Sequence, residues 1–245
     1  MKTGDIILKS IGCDLVINLL KKIEVWGDSV LKGVIYDVQK KKYLRLKMDT
    51  IINKLSELGL SIKNNSRFGM TAPKARNLML NSLEKGTKAD IAIIEFGGND
   101  CDYKWEEISE DPKGHHLPKT PINSFKECIT DMVIRFRDHG IKPVLMNLPP
   151  INSEKYFNWI SRGLNADAIL SWLGDKELIY RHHESYSLAI MNVAQKLSCP
   201  FIDVRGPFLL KRDYYNYLCE DGIHPNEEGY NIMKQTIVKY AINGV

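Results

Sequence analysis

Ala89-Asp90-Ile91-Ala92-Ile93-Ile94-Glu95-Phe96-Gly97-Gly98-Asn99-Asp100 is the stretch from which the fold can be read. Ile91 to Ile94 run without polar interruption, and two glycines end the segment. A strand with one face in water alternates apolar and polar side chains, whereas a continuous run suits a parallel strand covered on both faces. Its neighbours should therefore be other short apolar strands, with helices packed above and below.

The flanking sequence supplies both. Short apolar runs at Ile23–Trp26, Leu60–Lys63, Pro143–Asn147 and Phe201–Val204 complete a set of five strands. Between them lie segments with helical periodicity. Leu44, Met48, Ile51, Ile52, Leu55 and Leu58 recur at helical spacing before Gly59, and Ala75–Leu83 ends near Gly86. Phe125–His139 carries Cys128, Ile129, Met132, Val133 and Phe136 on one side and is punctuated by Gly140. Arg181–Leu197 is a further helix. Asn226–Ile242 closes the chain, with Asn226 as cap and Glu227 and Glu228 in the first turn, where the helix dipole favours acids. Strands alternating with helices imply right-handed crossovers. The expectation is an α/β fold over residues 1–245 as a single domain: a three-layer α/β/α sandwich, flavodoxin-like, with a central five-stranded parallel sheet.

Two connections are longer than ordinary loops, Cys101–Ser124 and Leu148–Tyr180. Both follow the C-terminal ends of strands, where open α/β sheets bind ligands, so both are expected to serve the site. The second carries Tyr156, Phe157, Trp159, Ile160, Leu164, Ile169, Leu170, Trp172 and Leu173. That apolar content predicts helices packed over the sheet or over the site.

Composition excludes several classes. The 245 residues are 44% hydrophobic and 26% charged, ordinary for a globular chain. A formal net charge of +4 is far short of a dedicated nucleic-acid binder. The densest basic run, Lys40-Lys41-Lys42, lacks interleaved stacking aromatics, so no nucleic-acid partner is expected. No window reaches the length of a membrane span. The apolar stretch Ile11–Leu20 is broken by Asp14 and Asn18 and lacks a small-residue cleavage pattern, which disfavours a signal peptide. Cys13, Cys101, Cys128, Cys199 and Cys219 are odd in number and form no Cys-x-x-Cys pair. Reduced thiols in a cytoplasmic protein fit them better than a disulfide framework.

Four short segments carry the chemistry. Gly27-Asp28-Ser29 follows the first strand, where the chain should hand over to a helix and a backbone N–H can face the same point as the hydroxyl. Asn64-Asn65-Ser66-Arg67-Phe68-Gly69 follows the second strand, and Gly97-Gly98-Asn99-Asp100 ends the strongest one. Asp221-Gly222-Ile223-His224-Pro225 precedes the last helix. Taken singly, each has a plain explanation: a capping serine, a turn glycine, an Asx turn, a structural His-Pro. Taken together, they supply a nucleophile, a base and an orienter of the base, the groups that serine acyl transfer needs.

In this combination the chain resembles the SGNH hydrolases, also called the GDSL esterase/lipase family. The matching motifs are Gly27-Asp28-Ser29 with Gly33 four residues on, Gly69, Gly98-Asn99-Asp100, and Asp221-x-x-His224. They stand in family order and span nearly the whole chain, with Val30 where the name motif has Leu. The resemblance implies Ser29 as nucleophile, His224 as base and Asp221 as its orienter. It implies an oxyanion hole of the Ser29 and Gly69 backbone N–H groups and the Asn99 amide. No cofactor and no metal are called for. Asp28 and Asp100 are expected to tie loops, and the pairs His115-His116 and His182-His183 to be surface or loop histidines. Cys219 lacks a His partner of its own and is a poor competitor as nucleophile.

The implied activity is a carboxylic-ester hydrolase. The expected partner is a small-molecule or glycan ester, with a short acyl (acetyl) group on a carbohydrate as first choice. The aromatic content of Leu148–Tyr180, with Tyr214, Tyr215 and Tyr217, suits a sugar platform. A lysophospholipase, lipase or acyl-thioesterase is the alternative, followed by an acyltransferase or an inactive binding module. A flavodoxin-like nucleotide binder is weaker, because the first turn is not a glycine-rich phosphate cradle. Oligomeric state is not legible in the sequence.

Overall fold

The computed structural model describes residues 21–46 and 60–242. Its frame is the expected parallel sheet: β1 (Lys21–Trp26), β4 (Leu60–Asn64), β5 (Ile91–Ile94), β6 (Lys142–Met146) and β7 (Phe201–Ile202) lie in the order β4-β1-β5-β6-β7. The continuous apolar run is the central strand. Ile23 lies opposite Ile62 on one side and Ile91 on the other, and Ile94 lies opposite Trp26 and Leu145.

Because side chains alternate across a strand, each strand feeds two cores. Trp26, Ala92, Ile94 and Leu145 pack on one face against α1 (Ala72–Glu84), α3 (Ile122–Asp138) and α6 (Glu177–Lys196), through Met79, Met132, Phe136 and Ile190. Ile23, Val25, Ile91, Val144, Met146 and Ile202 face the other way. They meet Phe208 of α7 (Gly206–Leu209) and Tyr230, Met233 and Val238 of α8 (Glu227–Ile242). Asn226 caps α8 as expected, its Oδ1 accepting the Gly229 N–H at 3.0 Å.

The long connections hold structure of their own. Residues 101–124 contain α2 (Trp105–Glu110), and residues 148–180 contain α4 (Ser153–Ile160) and α5 (Ala166–Leu173). Both short helices of the second connection are capped by asparagine: Asn152 accepts from the Lys155 N–H and Asn165 from the Ala168 N–H. Trp105, Ile108, Ile151, Phe157, Ile169, Leu173 and Ile179 form a third apolar cluster from these pieces and the start of α6, apart from the two sheet cores.

Two expectations change after Ser29. No helix follows it. A single turn from Asp28 closes at Gly33, whose φ of 76° ends it, and the chain enters an antiparallel hairpin, β2 (Val34–Asp37) with β3 (Lys42–Arg45). Leu44, expected to start a helix, is in β3, paired with Ile35. The β-branched and aromatic residues Val34, Ile35, Tyr36 and Tyr43 favour the pleated arrangement. The rest of that expected helix, Met48 to Leu58, lies outside the described residues.

Candidate active site

Three loops at the C-terminal edge of the sheet meet at Ser29. The β1 turn needs glycine at position 27: a Cβ there would lie 2.9 Å from Leu31 Cδ1 and 3.1 Å from Glu95 Oε2. Asp28 then closes the turn by accepting the Val30 N–H at 2.8 Å. The result presents the Ser29 hydroxyl 2.8 Å from His224 Nε2. On its other side, His224 Nδ1 lies 2.6 Å from Asp221 Oδ2. A carboxylate can only accept, so Nδ1 carries the hydrogen and Nε2 is left to accept the serine proton.

The loop holding the histidine is fixed by its own backbone. Asp221 Oδ1 accepts the N–H groups of Ile223 and His224, each at 3.1 Å, and the Cys219 N–H donates to the His224 carbonyl at 2.8 Å. Burial raises the proton affinity of Asp221. The hydrogen bonds and charge of His224 outweigh it and hold the carboxyl below the ordinary carboxylate range. Asp221 is therefore an ion beside an imidazole, an arrangement that stabilises the imidazolium formed when the serine gives up its proton.

Asn99 joins this group through Asp28, whose Oδ2 accepts one Nδ2 hydrogen at 2.9 Å. The amide has a second hydrogen, and Asn99 lines the same cavity as Ser29 and His224. Gly69 sits on the neighbouring loop with φ +67°, a left-handed conformation that glycine adopts readily. The Arg67 N–H ties that loop to the Gly27 carbonyl at 3.2 Å. In the cavity wall itself it is Phe68 that appears rather than Gly69. Asp100 fastens the next element by accepting the Ala72 N–H at the start of α1. Asp28 and Asp100 thus tie loops, as expected.

Burial drives three nearby carboxyls the other way. Asp28 and Glu95 are raised, Glu95 well above its ordinary value, and Asp100 is pushed up to about 6. The thiols are raised as well: burial pushes Cys219 up to about 11 and raises Cys101 well above its ordinary value, so neither is a thiolate at neutral pH. Among the described residues no cluster of three His, Cys, Asp or Glu side chains has the arrangement of a metal site.

A cavity with about 930 Å³ of open space, counting its mouth, extends from Ser29 and His224. Tyr103, Trp105, Leu148, Ile151, Tyr156 and Ile179 give it a mostly apolar wall. Both long connections contribute to it, and Asp102 organises their join. Its Oδ1 accepts the Tyr156 hydroxyl at 2.6 Å and the Trp105 indole N–H at 2.8 Å, and its Oδ2 accepts from Lys119 at 2.7 Å.

At the rim the hairpin brings Tyr43, with ring centre 5.3 Å from that of His224. Phe68 stacks on the same imidazole at 6.3 Å. Tyr36 and Trp159 extend this group, their rings 4.5 Å apart. Burial and the Asp221 charge raise the Tyr43 phenol, which stays protonated.

One expectation about the histidines is corrected. His182 and His183 are neither surface nor loop residues: they are on α6, they line this cavity, and His183 is buried. The helix faces the third apolar cluster here, and Tyr103, packed against that cluster, lies on the His182 ring with 5.0 Å between centres. Sequence reasoning also missed Tyr43 and Phe68. Alternation in the hairpin was a usable signal for Tyr43, but nothing local distinguishes a buried His-His pair from an exposed one.

Known proteins share the sequence pattern and the fold of this chain. A sequence model described as the GDSL-like Lipase/Acylhydrolase family matches residues 25–232. A protein of Bacillus subtilis, described as an uncharacterized lipoprotein, is 28% identical over 185 residues, which is 74% of this chain and 69% of that one. Among solved structures, a lipase/acylhydrolase from Enterococcus faecalis superposes with a TM-score of 0.61 at 18% identity, over 90% of this chain and 94% of the other. A catalytic mutant of an acetylxylan esterase from Geobacillus stearothermophilus gives a TM-score of 0.62 at 16% identity, over 89% and 93%. These structural likenesses speak for the fold.

Proposed function

Since the chain belongs to the GDSL-like lipase/acylhydrolase family, we propose that it is a serine carboxylic-ester hydrolase acting through Ser29, His224 and Asp221. The observation that carries this reading is the unbroken chain from Ser29 Oγ to His224 Nε2 at 2.8 Å and from His224 Nδ1 to Asp221 at 2.6 Å. In the proposed reaction Ser29 Oγ attacks the ester carbonyl while Nε2 removes its proton. The imidazolium then donates that proton to the departing alcohol, leaving an acyl-serine. Water, deprotonated by the same nitrogen, releases the acid. The oxyanion formed in each half is assigned to the Ser29 and Gly69 backbone N–H groups and to the Asn99 hydrogen that Asp28 does not occupy.

On the acyl side the cavity favours a group larger than acetyl, because an apolar wall that extends from Ser29 to α6 is left empty by two carbons. A second reading, an acetyl ester of a carbohydrate, is favoured by the aromatic rim of Tyr36, Tyr43, Phe68 and Trp159, which offers flat faces to a sugar. An acetylxylan esterase among the similar folds agrees with it.

A fluorophosphonate probe followed by p-nitrophenyl esters from acetyl to octanoyl tests both levels. Absence of label on Ser29 together with absence of cleavage would overturn the hydrolase reading. A maximum at intermediate chain length supports the larger acyl group, and a maximum at acetyl supports the sugar ester.

A further inference from the structure

Two imidazoles that line the cavity each keep a ring nitrogen that the protein itself leaves without a partner. His182 Nε2 and His183 Nδ1 are buried and have no hydrogen-bond partner among the described residues, and both rings line the cavity that begins at Ser29. His183 is 6% exposed. Native structures rarely leave such nitrogens unmet, and a group supplied by a ligand is one of the few explanations.

Position and chemistry narrow that group. Ser29 follows β1, and Leu148 and Pro149 follow β6, with β5 between the two strands. At about 4.8 Å per strand, the two turns are roughly 10 Å apart. Arg205 links α6 to the far turn: its Nη1 donates to the carbonyls of Leu148 and Pro149, each at 3.3 Å, and its Nη2 pairs with Glu184. His182 is held on the other side against the Tyr103 ring, 5.0 Å between centres. The wall between Ser29 and these histidines is mostly aromatic and aliphatic. Burial lowers both imidazoles, against the Cys101 backbone and the Asp102 charge at His182 and together with the Arg205 charge at His183, so both are neutral at ordinary pH. Arg205 is paired with Glu184, so the two charges at the far end offset one another and a neutral group suits it better than an anion. A neutral imidazole nitrogen can donate or accept according to tautomer, and a hydroxyl does both.

We infer that the cavity takes an acyl group of medium length with a hydroxyl at its far end, which His182 and His183 recognise while the carbonyl lies at Ser29. This rests on the hydrolase reading and names its substrate class. An unsubstituted chain would fill the apolar part and leave both nitrogens unpaired. A hydroxylated chain pairs at least one, so discrimination should fall on the far end of the acid and not on the alcohol.

The test compares p-nitrophenyl hexanoate with its ω-hydroxy derivative. The wild-type kcat/KM should favour the hydroxylated ester by about tenfold or more. In His183→Leu and in His182→Phe, apolar replacements of similar bulk, that ratio should fall towards one or below it. Thermal midpoints establish that each variant is folded, and either variant alone suffices to show the loss. A wild-type enzyme that cleaves the unsubstituted ester equally well or better overturns the inference and leaves the hydrolase reading intact. A ratio unmoved in both folded variants overturns it too. So does a preference evoked only by hydroxyls on the alcohol, as in glycerol monohexanoate. Failure to cleave any ester overturns the hydrolase reading and this inference with it.

Discussion

The groups around Ser29 assigned to the reaction and the histidines of α6 are built on opposite terms. Glu95, which lines the same cavity, resembles the histidines in that both its carboxyl oxygens lack partners among the described residues. At the Ser29 end the working polar atoms are bonded to one another: serine to imidazole, imidazole to carboxylate, carboxylate to two backbone amides, and Asn99 to Asp28. At the α6 end, His182 and His183 each keep a ring nitrogen that meets nothing in the protein. Paired groups are held in one geometry and suit steps that every substrate shares. Unpaired ones await the substrate and suit selection among substrates. Variants at the paired end should therefore lower turnover for all esters, whereas variants at the other end should re-rank them.

The largest effect is expected at the nucleophile. Ser29→Ala should lower kcat by roughly 10⁴–10⁶ for short and long esters alike, read by steady-state kinetics. A loss confined to one acyl length would break the contrast. Asp221→Asn follows, at about 10⁴, since the imidazole would then be held in the wrong tautomer. Restored turnover at higher pH in that variant would argue against the assigned role.

Asn99→Ala should cost roughly 10²–10³ in kcat with little change in thermal midpoint. Near-wild-type turnover would remove Asn99 from the oxyanion hole and would transfer Asp28, its partner, to a purely structural role.

The smallest effect concerns pH. Burial moves the Asp100 carboxyl from 3.8 to about 6 on folding, so the folded state holds its proton more tightly than the unfolded one. The stability this contributes is complete below the unfolded value and is lost as pH rises through about 6. Buried Asp28 and Glu95 act in the same direction. Urea midpoints from about pH 4 to about pH 7 should decline by less in Asp100→Asn than in the wild type. Parallel declines would locate the titration elsewhere.

The sheet was legible because Ile91–Ile94 and the run Pro143–Met146 beside it are apolar on both faces, whereas the edge strand Leu60–Asn64 alternates, with Ser61 and Lys63 exposed, and is the weaker signal. The grouping of Ser29, His224 and Asp221 was legible because short backbone-dictated turns surround it: Gly27 is required by Leu31 and Glu95, and Asp221 and His224 are separated by one tight turn. The hairpin was not, because Leu44 belongs equally to a strand and to a helical series with Met48 and Ile51. The histidine pair was not, because successive helix positions differ by about 100° and only the packing of α2, α4 and α5 decides what covers them. Cap residues such as Asn152 and Asn165 mark where those covering helices start, but not which surface they cover.

The hydrogen bond between Ser29 and His224 joins positions 195 residues apart. During synthesis the serine leaves the ribosome 195 residues ahead of the imidazole that it pairs with. Asn99 and the last four strands of the sheet are translated in between, so the scaffold can assemble around an unarmed hydroxyl. Esterase activity in a translation mixture would then mark chains elongated past His224, and a stalled or prematurely terminated product would carry the nucleophile without the reaction.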